Sequence, residues 1–326
     1  YSMLRAWVQD CMTRIFPYGK VAENADKNVF LRGAKNEVAC FQIGLTGTSH
    51  NLDDLKIEAT DMISSSGEVI SKESVEVLYA GYVPVHWHSA GNSEHDLEGI
   101  APGFYPDPLL PSLWRGVGRV QFPDIISVWV RIHITDSMPP GNFKGNLNIS
   151  CKAGDATIRI ELQVLSLALP KESHFLMTNW FLVDPIMKFH KLEPLTDRFW
   201  QVIERYAWNL ADHRQNVVLT PLFCMSNIPQ LIDGRTQGQL IDISEKGSGQ
   251  YDFDFHNLDK WIELFFGHGF RLIEGSHLAG GSINPVGVLI RKGDHAEYRK
   301  FESTMDNDYR SFLQQLLPSL RDHLRD

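Results

Sequence analysis

Phe270-Arg271-Leu272-Ile273-Glu274-Gly275-Ser276-His277-Leu278-Ala279-Gly280-Gly281 decides how the second half of the chain is read. An apolar run (Phe270, Leu272, Ile273) stops at Glu274, and polar groups follow until the chain turns at Gly280–Gly281. This is the pattern of a buried parallel strand that delivers side chains to the carboxyl end of a sheet. In barrel enzymes that end carries the chemistry. A helix is predicted just before it, over Asn257–His268. Leu258, Trp261, Ile262 and Phe265 fall at i, i+3, i+4 and i+7, and Gly267 and Gly269 stop it.

The same alternation extends outward. Upstream lies a second buried strand, Asn216–Leu222, and before it a helix capped by Thr196, with Asp197 in its first turn and Phe199, Ile203, Tyr206 and Leu210 as its stripe. Before that helix, Phe175–Val183 reads as a first buried run. Asn227–Phe255, with its glycines and short alternating pieces, reads as an inserted hairpin. Downstream, a glycine-rich loop is expected from Gly280 to Gly293. A third helix follows with a stripe of Tyr309, Phe312, Leu313, Leu316, Leu317 and Leu320, which Pro318 should kink or end.

Strand–helix repeated three times predicts a parallel α/β domain. Roughly 150 residues serve it, against about 250 for an eight-fold barrel. The chain stops after a helix, at Leu320–Asp326, where a fourth strand is due. The expectation over residues 171–326 is therefore the first part of a (β/α)8 TIM-type barrel, truncated.

Residues 1–170 carry a different pattern and predict a separate β-domain. Strands are expected at Met3–Gln9, Glu37–Thr46, Leu55–Thr60, Val75–Val85, Ile125–Thr135, Asn146–Cys151 and Thr157–Leu167. In the last of these Ile158, Ile160, Leu162 and Val164 alternate with Arg159, Glu161 and Gln163. One face buried and one wet suits antiparallel sheets. Ser64-Ser65-Ser66-Gly67, Pro139-Pro140-Gly141 and Ala153-Gly154-Asp155 supply turns. About seven short strands so spaced favour an immunoglobulin-like β-sandwich. Leu165–Ser173 marks the boundary. The expected whole is a multidomain β plus α/β protein.

Val85–Gly118 stands apart as a long loop with few strand signals. It holds His86-Trp87-His88, Phe104, Tyr105 and Trp114. The two histidines share a face and suit either a metal or an ordinary strand end. The aromatics suit either a sugar ring or packing against the second domain.

Composition narrows the class. Of 326 residues, 43% are hydrophobic and 22% charged, which is ordinary for a globular protein. The net charge of -9 leaves no basic field for nucleic acid. No apolar run approaches the roughly 20 residues of a membrane span. Cys11, Cys40, Cys151 and Cys224 lack metal-ligand spacing. Cys11, Cys40 and Cys151 lie in expected strands and read as buried free thiols, with a Cys11–Cys40 disulfide as the alternative. No metal or cofactor is expected. The chain begins Tyr-Ser-Met without a signal peptide, and Asn148-Ile149-Ser150 fits a glycosylation sequon, so the compartment stays open between cytoplasmic and secreted. The oligomeric state is open as well.

Five pieces in order carry a family resemblance: Phe30–Phe41, Pro106–Pro111, Pro140–Gly145, His213-Arg214-Gln215-Asn216 and Glu274-Gly275-Ser276-His277-Leu278. Together, over nearly the whole chain, they resemble glycoside hydrolase family 123 and its related hydrolases of unassigned specificity. The resemblance implies a β-sandwich before a (β/α)8 barrel, and activity as an exo-acting, retaining β-N-acetylgalactosaminidase. It implies substrate assistance, in which the sugar's 2-acetamido oxygen attacks the anomeric carbon. It also implies an Asp-Glu pair at the end of the fourth barrel strand, the Glu protonating the leaving oxygen and the Asp orienting the acetamido group. No Asp-Glu dipeptide follows residue 170, so the general acid is expected beyond Asp326.

What the resemblance leaves to this chain is a carbohydrate-binding half-site of Trp180, Asn179, Arg214, Glu274 and His277. Glu274 would bond sugar hydroxyls or tune the acid, or else pair with Arg214 or another arginine. His277 would donate to a hydroxyl or be a satisfied core histidine. Trp180 would stack on a sugar face or pack in a core. His213, Arg214 and Asn216 straddle the amino end of a strand, where stability is the usual role. Asp184 reads as a turn residue before Pro185. A non-catalytic carbohydrate-binding protein is the competing reading.

Overall fold

The computed structural model describes residues 4–19, 21, 26–47, 52, 54–89, 91, 93–99, 101–113, 125–223, 238–280, 284–285, 287–293, 295–301 and 303–325. Trp114, Cys224, the start of the 227–255 segment and the turn at Gly281 lie outside them. Contacts divide the chain into two units, Tyr1–Lys171 and Glu172–Asp326.

The first unit is built by alternation. Its strands are β1 (Arg5–Gln9), β2 (Asn28–Lys35), β3 (Glu37–Thr46), β4 (Lys56–Ala59), β5 (Met62–Ser64), β6 (Val69–Ile70), β7 (Val75–Val85), β8 (Gly103–Leu110), β9 (Ile125–Ile134), β10 (Gly141–Cys151) and β11 (Gly154–Ala168). One sheet runs β1-β3-β9-β7-β8 and the other β2-β11-β10-β5-β6, with β4 also on β10. Inward residues of both sheets share one core, among them Phe41, Ile43, Val128, Val130, Phe143, Ile158 and Ile160. Burying such side chains contributes about 1.5–3 kcal/mol each.

Four strands were not expected: the short β5 and β6, and the longer β2 and β8. β2 escapes the pattern because Phe30 points to solvent and Gly33 interrupts it. A Cβ at Gly33 would lie 2.3 Å from Ile134 Cδ1, so a side chain there would require that methyl to move. Asn36 turns the chain from β2 in one sheet to β3 in the other at φ 62, the left-handed region that asparagine tolerates. β8 lies inside the expected loop 85–118: Tyr105 and Phe104 pair with Val83 and Pro84 of β7. Prolines 106 and 108 hide the strand from pattern reading, and β8 is an edge strand, where proline is tolerated.

The second unit has α1 (Val183–His190), α2 (Asp197–Asp212), β12 (Val217–Thr220), β13 (Asp242–Gly247), β14 (Gln250–Asp254), α3 (His256–Gly267), β15 (Leu272–Gly275), β16 (Ala279–Gly280), β17 (Asn284–Pro285), β18 (Gly287–Lys292), β19 (His295–Lys300) and α4 (Asn307–His323). Thr196 Oγ1 caps α2 by accepting the Phe199 N–H at 3.4 Å. Phe199, Ile203, Trp261 and Phe265 bury the facing stripes of α2 and α3. α4 continues through Pro318, with Phe312 packed on Tyr251 and Phe301.

The (β/α)8 expectation is overturned. The described residues are 44% strand and 21% helix, spread over several sheets, and no (β/α)8 barrel is present among them. The parallel part is three lanes: β12 pairs with β15, and Thr178 makes an isolated parallel bridge to Val217. After β15 the chain builds strands instead of a helix. β18 and β19 join β13 and β14 in a mixed sheet ordered β14-β13-β18-β19, which replaces the expected glycine-rich loop. Closure requires every strand to have a neighbour on each side, and among the described residues the outer lanes have one. The apolar run Phe175–Val183 is accordingly uncovered over most of its length, with Phe175 73% exposed. Leu272 of β15 is also exposed, and the buried aromatic of that stretch is Phe270, just before the strand. No described helix is long and apolar enough to cross a membrane.

Candidate functional site

The parallel lanes fix which ends of the strands carry polar groups. Leu219 of β12 stands beside Glu274 of β15, so Glu274 lies near the carboxyl end of both. Trp180 follows the bridged Thr178 by two residues. In extended backbone such a pair shares one side, and both reach the same oxygen. Trp180 Nε1–H donates to Glu274 Oε2 at 2.9 Å, and Thr178 Oγ1–H donates to it at 3.2 Å. The His277 ring meets the Trp180 indole edge-on, with centroids 5.2 Å apart.

The loop after β15 is pinned on both sides of His277. Ser276 is buried; its N–H donates to Thr220 O at 3.0 Å and its Oγ accepts the Phe223 N–H at 3.3 Å. The Tyr309 hydroxyl of α4 donates to Leu278 O. His277, between two anchored neighbours, is left exposed at the surface. Trp180, Glu274 and His277 thus form an open group: an indole 54% exposed, a carboxylate held by two donors, and an imidazole. Such a surface offers an apolar plate beside hydrogen-bonding groups.

Two predicted residues fall elsewhere. Asn179 sits between Thr178 and Trp180 and therefore projects to the opposite side. Arg214 lies at the amino end of β12, where it adopts φ 65 and donates its N–H to Ala211 O at 2.8 Å, closing α2. Glu274 takes its hydrogen bonds from an indole and a hydroxyl. Asn216 of the same motif is buried and structural. Its Oδ1 accepts the Met177 N–H at 2.8 Å, and its Nδ2 donates to Phe175 O at 2.9 Å and Ser173 O at 3.2 Å. It ties the first lane to the second.

Thr178 and Ser276 were not singled out from sequence. The i, i+2 spacing of Thr178 and Trp180 was the available signal for the first. Ser276 carried none, because its role depends on the separate element β12. Asp184 also proves more than a turn residue. Its Oδ1 is buried without a hydrogen-bond partner among the described residues, and burial raises its pKa above the ordinary value of 3.8.

A cavity of about 470 Å³ in the same unit lies away from this group, lined by Asp242, Tyr251, Asp252, Asp254, Arg291 and others. Its charges are taken up internally, Arg291 by Asp242 and Lys246 by Asp252. The group at the strand ends is the better candidate because its polar atoms face outward. Among the described residues no cluster of three or more His, Cys, Asp or Glu side chains could hold a metal. His88 Nε2 accepts the Ala101 N–H at 3.0 Å, which occupies that nitrogen.

Residues 180–326 match the family profile described as glycoside hydrolase 123, catalytic domain, and residues 18–151 match the glycoside hydrolase 123 N-terminal domain. No curated protein matches the chain. Among solved structures, a family 123 glycoside hydrolase from Clostridium perfringens, described for glycolipid glycan hydrolysis, superposes with a TM-score of 0.80 at 16% identity, over 99% of this chain and 57% of that one. This chain therefore spans just over half the length of that hydrolase, and the likeness is one of fold. A Myf fimbrial major subunit from Yersinia enterocolitica, solved with galactose, overlaps 49% of the chain at a TM-score of 0.23 and 10% identity and covers 97% of that subunit; at that score it carries no argument.

Proposed function

The chain belongs to glycoside hydrolase family 123, and from that premise we propose that it serves hydrolysis of terminal β-linked N-acetylgalactosamine, with Trp180, Glu274 and His277 holding the sugar. The observation that carries this reading is the indole–carboxylate–imidazole group at the carboxyl ends of parallel strands, inside the residues matched by the catalytic-domain profile. Glu274 Oε2 accepts from Trp180 and Thr178, and Oε1 is the oxygen offered to a sugar hydroxyl. The indole takes the apolar face of the pyranose. His277 supplies a hydroxyl partner from the adjoining side. Neither Asn179 nor Arg214 is needed in this arrangement.

The proposed reaction is substrate-assisted. The 2-acetamido oxygen attacks the anomeric carbon, so the protein supplies orientation and a proton for the leaving oxygen, not a nucleophile. Glu274, already the acceptor of two hydrogen bonds, is a binding carboxylate in this scheme, and the proton donor is a different group.

The test is release of 4-nitrophenol from its N-acetyl-β-galactosaminide by the full-length protein. Turnover is expected, and Glu274→Gln should lower kcat/KM by roughly 10–100-fold, the loss of one charged hydrogen bond, while thermal stability changes little. A folded protein that binds N-acetylgalactosamine without releasing it would replace this reading with a carbohydrate-binding one.

A further inference from the structure

We propose that Cys11 and Cys40 are a disulfide-forming pair that locks the chain after β1 onto β3. The pairing register is the first ground. β1 and β3 run antiparallel from Arg5 opposite Thr46 to Gln9 opposite Gln42. Continued by two places, the same register sets Cys11 opposite Cys40. Directly opposed residues of an antiparallel pair have Cα atoms about 4.5–5.5 Å apart, within the 4.4–6.8 Å that a disulfide spans.

The second ground is a clamp that holds this register past the end of β1. The Gln42 amide is buried, and its Nε2 donates to Asp10 O at 2.7 Å and to Thr13 O at 2.8 Å. Those carbonyls flank Cys11, so the backbone around it is tied to β3 two residues from Cys40. The third ground is contact. Both thiols are free and half-buried, and they lie near enough to shift one another's acidity. Cys40 lies on the outer face of its sheet, since Ala39 and Phe41 on either side of it point into the core. Cys11 borders a cavity of about 430 Å³ with Arg14, Gln42 and Trp129, which gives a small reagent a way in.

The chemistry has a preferred order. The neighbouring Cys11 thiol, and after it the Arg131 guanidinium paired across from Cys40 on β9, bring the Cys40 thiol down to about 7, whereas Cys11 is raised. With oxidised glutathione as oxidant, the Cys40 thiolate attacks one glutathione sulfur and expels glutathione thiolate. Cys11, losing its proton, then attacks the Cys40 sulfur and expels the second glutathione. Two protein thiols are oxidised, one glutathione disulfide is reduced to two thiols, and two protons pass to the leaving thiolates.

The test treats the full chain with oxidised glutathione, alkylates the remaining thiols and maps the peptides without reduction. The expected product is a Cys11–Cys40 linked peptide, with Cys151 alkylated as an internal control. Oxidation should raise the melting temperature of the first unit by roughly 10 °C, the effect of closing a loop of about 30 residues, and Cys40→Ser should abolish the rise. The proposal is overturned if both cysteines remain alkylatable, if either stays as a glutathione adduct, or if Cys11 or Cys40 is found linked to another cysteine. The peptide map uses the unmodified protein, so the result does not depend on the variant folding.

Discussion

In β11, Ile158, Ile160, Leu162 and Val164 are each no more than 2% exposed, while in the run that opens the second unit Phe175 and Leu176 are 73% and 57% exposed. Both stretches are apolar enough to read as strands. They differ in where their partners come from. β11 returns on β10 through a tight turn, Cys151 pairing with Gly154, and the register then holds for eleven residue pairs to Val164. Its alternation names the buried face, and a neighbour adjacent in sequence supplies the pairing. The run at Phe175 has one bridge, Thr178 to Val217, about forty residues on. A continuous apolar run states that both faces need cover without saying what provides it.

Four substitutions probe this contrast. The largest effect belongs to the sandwich core. Phe143, fully buried and shared by both sheets, should lose about 3–5 kcal/mol on Phe143→Ala, read by denaturant unfolding. Phe175→Ala should stay within about 0.5 kcal/mol, and a comparable loss at both positions would erase the distinction.

The next effect is at Asn216, the residue that substitutes for a continuous ladder between the first two lanes. Asn216→Ala removes three hydrogen bonds and leaves the Met177 N–H without its acceptor. A loss of about 1–3 kcal/mol is expected, with faster amide exchange at Met177. Unchanged exchange there would show that the lane is held by other contacts.

The smallest effect sharpens the comparison through pH. Burial raises the Asp184 pKa above 3.8 in the folded unit. Below about 3.8 the carboxyl is protonated in both states and contributes nothing to the pH dependence. As pH rises from there toward the raised folded value, the unfolded chain ionises first, so the native state holds more protons and stability falls. Asp184→Asn should therefore gain stability relative to the unmodified protein across that interval and keep the gain at neutral pH. A parallel pair of pH–stability curves would refute the assignment.

Much of the candidate site could be read directly from the chain. Glu274 and His277 stood out because an apolar run ended in polar groups, and Trp180 because it occupied the matching place in the first run. Their mutual contacts agree with that placement. The backbone of Arg214 helps to end α2, and Asn216 of the same motif ties the lanes. Thr178 and Ser276 stayed hidden because each acts on an element far away in sequence. The barrel expectation failed for the same reason. The repeats strand–helix–strand are local and were legible, whereas closure and the turn of β18 and β19 into a mixed sheet are not.

By itself the amino-acid sequence determined the alternating faces of β10 and β11, the stripes of α2 and α3, the Thr196 cap of α2, and the carboxylate and imidazole at and just after the end of β15. These depend on neighbours within one or two turns, or on a period that the backbone imposes. Only the tertiary structure decided that Trp180 and Thr178 meet on one Glu274 oxygen, that Asn179 and Arg214 lie elsewhere, and that β1 pairs with β3 as far as Gln9 opposite Gln42. Those outcomes depend on which strand lies beside which, a choice made by burial of the whole core and by the entropy of closing long loops.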